Sequence, residues 1–156
     1  YLAYHIMPLV WKHLPNAKLY IAGATPDPRV KKAASDNVII SGWLDDMRDA
    51  YAQSKVFIAP MRIGTGLQNK LLEAMSMRLP CITTSLANNS LHAENGKEIL
   101  VGNDENELAN HIITLLTDKL KADELAQNGY DFVHRVYDWG MATSIMEHKM
   151  ELFKSR

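Results

Sequence analysis

The chain predicts an α/β domain, a parallel sheet flanked by helices, from three observations. Five short runs rich in Val, Ile and Leu recur along the 156 residues, near-continuous in apolar character as strands buried on both faces are. The segments between them carry apolar residues at helical spacing instead. The two kinds alternate along the chain, which implies βα units, right-handed crossovers and a doubly wound sheet.

Taken in order, the chain opens in a helix. Leu2, Ile6, Leu9, Val10 and Leu14 share one face, with Lys12, His13 and Asn16 toward solvent, and Pro8 inside the run either starts the helix or kinks it. Strands follow at 18–22, 37–41, 55–59, 80–84 and 98–101. Helices fall near 27–35, 45–53, 67–78, 104–117, 119–136 and 139–153. Asp45 is the expected cap of the helix after it and Asp138 of the last one, because a short acidic side chain accepts from the free N–H groups of a first turn. Asp104 caps the helix near 104–117, with Glu107 three residues on as in a capping box. Gly23 serves the turn out of the first strand, and residues 85–90 read as a loop. Nothing interrupts the alternation, so residues 1–156 are read as one domain. A helix with no strand before it is an unusual opening for such a sheet. The expectation is a domain lacking its first strand and belonging to a longer, two-domain protein.

Composition excludes several classes. Apolar residues make up 47% and charged residues 22%, with a net charge of −1, and Lys and Arg are scattered, so nucleic acid is not an expected partner. No apolar run has the length of a bilayer span. The single Cys81 has no partner for an internal disulfide and is expected to pack as a small apolar residue. The six histidines show no close pair on one helical face, as a zinc site would need. Ser41, Ser54 and Ser85 stand outside any Gly-x-Ser-x-Gly elbow, which argues against a hydrolase.

The chemistry concentrates between Pro60 and Met75: Pro-Met-Arg-Ile-Gly-Thr-Gly-Leu-Gln-Asn-Lys-Leu-Leu-Glu-Ala-Met. Phe57, Ile58 and Ala59 end a strand, and Gly64 and Gly66 let backbone approach a ligand with no Cβ in the way. A helix opening near Leu67 points its free N–H groups and the positive end of its dipole over the loop. Such a site suits a phosphate or diphosphate. The spacing is neither that of a P-loop nor that of the dinucleotide fingerprint. On the helix, Leu67, Leu71, Ala74 and Met75 face the sheet, and Asn69, Lys70 and Glu73 share the opposite side. Lys70 is placed to neutralise phosphate charge, and Glu73, one turn on, to accept from two vicinal hydroxyls such as a ribose offers. The plainer reading of the same spacing is a solvated face with a Lys–Glu surface pair.

The run Gly64-x-Gly66-x-x-x-Lys70-x-x-Glu73-Ala74-Met75, followed by Pro80-Cys-Ile-Thr-Thr84, resembles the signature of the group 1 glycosyltransferases, retaining enzymes of the GT-B fold. Leu-Tyr-Ile-Ala-Gly at 19–23, Val-Ile-Ile-Ser-Gly at 38–42, Asn95-Gly96 before Ile99-Leu-Val101, and Tyr137-Asp-Trp139 fall in the family's order. The chain is similar in particular to capsule and exopolysaccharide sugar transferases. The resemblance implies a Rossmann-like domain, the C-terminal half of a GT-B enzyme, binding a UDP- or GDP-linked sugar with no cofactor and no metal. The acceptor, a glycan or a lipid-linked one, would belong to the missing N-terminal half. The implied setting is cytoplasmic, peripheral at the inner membrane through that half.

Ligands of such sheets lie beyond the carboxyl ends of the strands, where residues 23–28, 42–45, 60–66 and 85–92 are expected to converge. By resemblance, Gly42 and Trp43 border the nucleobase, Trp43 being otherwise a core or rim aromatic. Gly64, Thr65, Gly66 and Leu67 line the diphosphate, and Glu73 holds the ribose. Lys70 is the implied catalytic cation, with Arg62 behind it. Asn88 and Asn89 either meet sugar hydroxyls or belong to a plain loop. The chain also departs from the family. Thr65 stands where most members carry a first Glu near the donor sugar, and Leu67 replaces an aromatic. The family's basic pair for the diphosphate lies on the first strand and loop, ahead of Tyr1.

The implied reaction is retaining transfer of the sugar to an acceptor, in cell-surface polysaccharide synthesis. Loop N–H groups, the helix dipole and Lys70 would stabilise the departing diphosphate, while Glu73 contributes orientation and no proton transfer. This domain alone is expected to be inactive. Two other readings share its residues: a nucleotide-sugar 2-epimerase of the same fold, and a catalytically degenerate domain kept for binding or assembly.

Overall fold

Every strand–strand ladder in the computed structural model, which describes residues 1–64 and 66–137, is parallel. Strand β1 (Leu19–Ala22) pairs with β2 (Val38–Gly42), Leu19 opposite Val38. Strand β3 (Phe57–Ala59) pairs with β4 (Cys81–Thr83), and β4 with β5 (Leu100–Val101). The expected strands are all present, yet the single sheet is found as two pieces, β1–β2 and β3–β4–β5. Burial follows that division. β4, with a neighbour on each side, is buried throughout, whereas β3 is half-buried and β1 is so beyond Leu19. One apolar core still spans both pieces, with Leu19 and Val38 from the first and Ile82 and Leu100 from the second packed with Ile6, Val10, Leu108 and Ile112.

The opening helix begins before Pro8 and widens ahead of it. A π-helical turn, Leu2–Ile6, leads into α1 (Met7–Trp11), and the Met7 N–H reaches back five residues to the Leu2 carbonyl. Pro8 has no N–H for the Tyr4 carbonyl and its ring crowds that oxygen, so a wider turn accommodates it.

Helix α2 (Pro28–Lys31) starts on Asp27, whose side chain accepts from the Arg29 N–H. It is shorter than expected because Ser35 and Val38 exchange backbone hydrogen bonds of 3.1 Å that turn the chain into β2. Helix α3 (Met47–Ala52) is capped by Asp46 and not by Asp45. Asp46 is the last extended residue before Ala50 and Tyr51 are buried, so its carboxylate meets the first turn. Helix α4 (Asn69–Ser76) precedes β4. The segment expected as a loop after β4 is helix α5 (Ser85–Leu91). Its polar sequence hides two buried residues one turn apart, Ala87 and Leu91, and the Asn88 side chain closes its end by bonding both the N–H and the carbonyl of Ala93.

Helices α6 (Glu105–Thr117) and α7 (Lys119–Val136) match their expected spans closely. Asp104 accepts from the Asn106 and Glu107 N–H groups, and Glu107 reaches back to the Asn103 N–H at 2.7 Å. Asp118 ends α6 and caps α7 at once. Helix α7 lies close to the sheet at Gly129, where an added Cβ would sit 3.0 Å from the Glu98 carbonyl oxygen and 3.2 Å from Met75 Cε. Buried Glu98 is satisfied by the Glu94 N–H and by Arg135 at the end of α7. Cys81 is buried as expected, and that burial pushes its thiol well above the usual range. Among the described residues no helix is long and apolar enough to cross a membrane. The helix expected near 139–153, with Asp138 as its cap, lies outside the described residues.

Candidate functional site

Two threonines at the end of β4 build the start of the glycine loop. Thr83 Oγ1 donates to the Ala59 carbonyl at 2.9 Å and Thr84 Oγ1 to the Met61 carbonyl at 2.7 Å. Both threonines are buried, so the chain leaving β3 is fixed over its first two residues. Gly64 has φ +114°, a conformation side-chain-bearing residues rarely adopt. A Cβ there would make ordinary contacts, 3.8 Å from Met61 Cε, so the demand is on the dihedral and not on space. Gly66 differs. Its φ is not positive, and a Cβ would meet nothing within 4 Å, which leaves open volume above the loop.

Helix α4 begins at Asn69, two residues later than expected, and Leu67 lies outside it, 39% exposed. The cause is local. The Gln68 amide donates to the Gly66 carbonyl at 2.9 Å, closing a turn that keeps these residues out of the helix. Leu71, Ala74 and Met75 face the core as the spacing predicts. Helices α2, α3, α6 and α7 each start on an aspartate that accepts from first-turn N–H groups. Gln68, at the same place in α4, makes no such bond, so among the described residues no side chain caps the first turn of this helix.

Asn69, Lys70 and Glu73 are exposed together on the outer side of α4. The Lys–Glu surface pair is not formed, and Lys70 makes no ion pair among the described residues. Glu73 Oε2 instead accepts from the Tyr51 hydroxyl of α3 at 2.8 Å. Burial, and then the bond to Glu73, push the Tyr51 hydroxyl far above its ordinary range, so it stays a donor. Arg62 lies over the Tyr1 ring, 4.8 Å from its centroid. Both line a cleft of about 250 Å³ with Met61, Thr84, Leu86 and Asn103, four residues that together with Arg62 follow the carboxyl ends of β3, β4 and β5. A hollow of about 320 Å³ between Gly96 and Lys121 sits at the amino end of β5, on the opposite side of the sheet from these loops.

Gly42 closes β2 with φ +70°, and its carbonyl accepts from the Gly23 N–H at 3.3 Å. Trp43 follows, 71% exposed with its indole N–H on Asp45 at 3.2 Å, so it is a rim and not a core aromatic. Asn88 is committed to Ala93 just beyond the end of α5, as described above. Thr65 lies outside the described residues. The sequence-predicted residues therefore fall into two groups at strand carboxyl ends, Gly42 and Trp43 after β2, and Arg62 through Glu73 after β3. Tyr51, Thr83 and Thr84 escape motif reading as functional groups. The available signal for Tyr51 is a hydroxyl on a buried helix face, which requires a partner.

Residues 1–118 match the family model described as Glycosyl transferases group 1. An uncharacterized 44.6 kDa protein in the cps region of Klebsiella pneumoniae is 30% identical over 142 residues, 85% of this chain and 37% of that protein. The chain thus spans well under half the length of that relative. Among solved structures, the C-terminal domain of a glycosyl transferase group 1 family protein (LpcC) from Francisella tularensis superposes with a TM-score of 0.72 at 21% identity, over 88% of this chain and 78% of that one. HepE of Anabaena, in complex with UDP and glucose, superposes with a TM-score of 0.77 at 17% identity, over 97% of this chain and 44% of that one. At these identities the superpositions speak for the fold alone.

Proposed function

The chain belongs to the group 1 glycosyltransferases and has the fold of their C-terminal domain, and on that premise we propose that it is the nucleotide-sugar-binding domain of a retaining sugar transferase in cell-surface polysaccharide synthesis. One observation carries the reading. Beyond the end of β3, a glycine loop meets a helix whose first turn no described side chain caps, and Lys70 and Glu73 stand exposed beside it. That arrangement offers N–H groups and a cation to a diphosphate and a carboxylate acceptor to ribose hydroxyls. UDP in the HepE complex and the cps-region location of the Klebsiella relative support a nucleotide-sugar donor and a surface-glycan product. In this reading the acceptor is bound by a separate domain, in keeping with the 37% of the Klebsiella relative's length that the chain covers.

In this mechanism the glycosidic bond to the diphosphate breaks as positive charge develops on the sugar and negative charge on the leaving group. The α4 N-terminus and Lys70 stabilise the latter, with Arg62 as the second cation. Glu73 fixes the nucleoside and so the reacting carbon. Trp43 supplies an apolar edge for the base. Calorimetry of the whole protein with UDP, GDP and their sugar conjugates tests the reading. One diphosphate is expected to bind at about 4–6 kcal/mol or better, and Glu73→Ala is expected to weaken it at least about tenfold, the worth of a hydrogen bond to a charged group. Unchanged binding in Glu73→Ala would sink the assignment.

A further inference from the structure

We infer that Tyr51 is a positioning residue for the nucleotide site, a buried hydroxyl on α3 that anchors one oxygen of Glu73 and turns the other toward the ligand. The inference rests on the reading above and adds a residue that no part of the glycine-loop motif contains.

The geometry is specific. Tyr51 is 5% exposed, and its ring packs edge-on against Phe57 of β3 with centroids 5.7 Å apart. Around it lie Met47, Leu71, Met75 and Cys81, in one apolar cluster. The hydroxyl is therefore held in place by its own ring, and it reaches the surface only at Glu73 Oε2, 2.8 Å away. Glu73 is exposed. Without an anchor, an exposed glutamate on a helix samples several rotamers, and ordering it on binding costs up to about 1.5–2 kcal/mol of side-chain entropy. Among the described residues Oε1 accepts no hydrogen bond. A carboxylate oxygen with both lone pairs available matches a vicinal diol, and the anchored partner oxygen fixes the plane in which that diol is met.

A second consequence of the burial is that the anchor does not switch off. Burial and the adjacent carboxylate both favour the neutral phenol, so Tyr51 remains a donor to Glu73. The pair also joins α3 to α4, and a simple staple between helices would show the same bond. The two roles differ in what they do to ligand affinity once the carboxylate is gone.

The experiment uses the whole protein and whichever of UDP and GDP binds it, with the four forms of a cycle: wild type, Tyr51→Phe, Glu73→Ala and the double variant. Phe keeps the ring and its packing. Tyr51→Phe is expected to weaken diphosphate binding about tenfold, the cost of ordering a Glu73 side chain that is no longer anchored, and to add nothing in the Glu73→Ala background. With the 2′,3′-dideoxy form of the same diphosphate, Tyr51→Phe is expected to bind as wild type does. If Glu73→Ala leaves affinity unchanged, the ribose-holding role of Glu73 fails and the positioning role with it. If Glu73→Ala weakens binding and Tyr51→Phe does not, the role of Glu73 stands and the positioning role is overturned. An equal loss from Tyr51→Phe with and without Glu73 also overturns it, because the hydroxyl then acts through the fold.

Discussion

The Thr84 hydroxyl and the Met61 carbonyl, 23 residues apart in the chain, meet at 2.7 Å. Through this bond the end of β4 governs where the glycine loop begins. Thr84→Val keeps the volume, removes the donor and leaves the Met61 carbonyl without its partner. The expected cost is about 1–2 kcal/mol of stability, read from urea unfolding, together with a raised donor KM in the whole enzyme. A loss of stability with KM unchanged would restrict the bond to a structural role.

The two loop glycines separate conformation from space. Gly64→Ala places a side chain at φ +114° and is expected to cost ~1–3 kcal/mol, visible as a lowered Tm. Gly66→Ala meets neither strain nor a neighbour, so its stability is expected within about 0.5 kcal/mol of wild type. If Gly66→Ala weakens diphosphate binding all the same, the open volume above it is where the ligand lies. Equal Tm values for the two variants would refute the distinction.

Acid pH tests the cap of the helix that carries Tyr51. The Arg48 guanidinium, and then the Arg48 backbone N–H, hold the Asp46 carboxyl below the usual carboxylate range. A group whose pKa is lowered by folding adds stability that is complete above its unfolded value and is lost as pH falls through its folded one. Asn at this position keeps a capping oxygen but does not titrate. Wild type is therefore expected to exceed Asp46→Asn in Tm above about pH 5, with the difference closing as pH falls below about 4. A constant difference across that window would show that the carboxylate charge is not involved.

Helices α6 and α7 are legible in the sequence to within a residue because their determinants are local, an aspartate at each start and apolar residues at helical spacing behind it. The β strands are legible for the same reason. Helix α5 is not, since Ser-Leu-Ala-Asn-Asn-Ser-Leu carries few apolar residues and its helicity comes from burial of Ala87 and Leu91 together with the Asn88 closure. The start of α4 is displaced because the Gln68–Gly66 turn competes with helix for the same residues. At the site, Lys70 and Glu73 share a face that spacing alone predicts. The Tyr51–Glu73 bond joins two helices 22 residues apart, and no periodicity encodes a contact of that kind. The separation of the sheet into two pieces is likewise a property of pairing between strands, to which strand composition is blind.

Asp118 is at once the last cap of α6 and the first of α7. Its N–H bonds back to the Thr114 carbonyl and its carboxylate holds the Lys121 N–H at 3.0 Å. Two rods joined through a single residue that serves both ends form a stiff elbow, since opening the angle between them breaks a cap on each side. The rear of the molecule is thereby braced. At the opposite, carboxyl ends of the strands the glycine loop runs into α4 through Gln68, which makes no side-chain cap, so the doubled cap at the rear has no counterpart where that loop meets its helix.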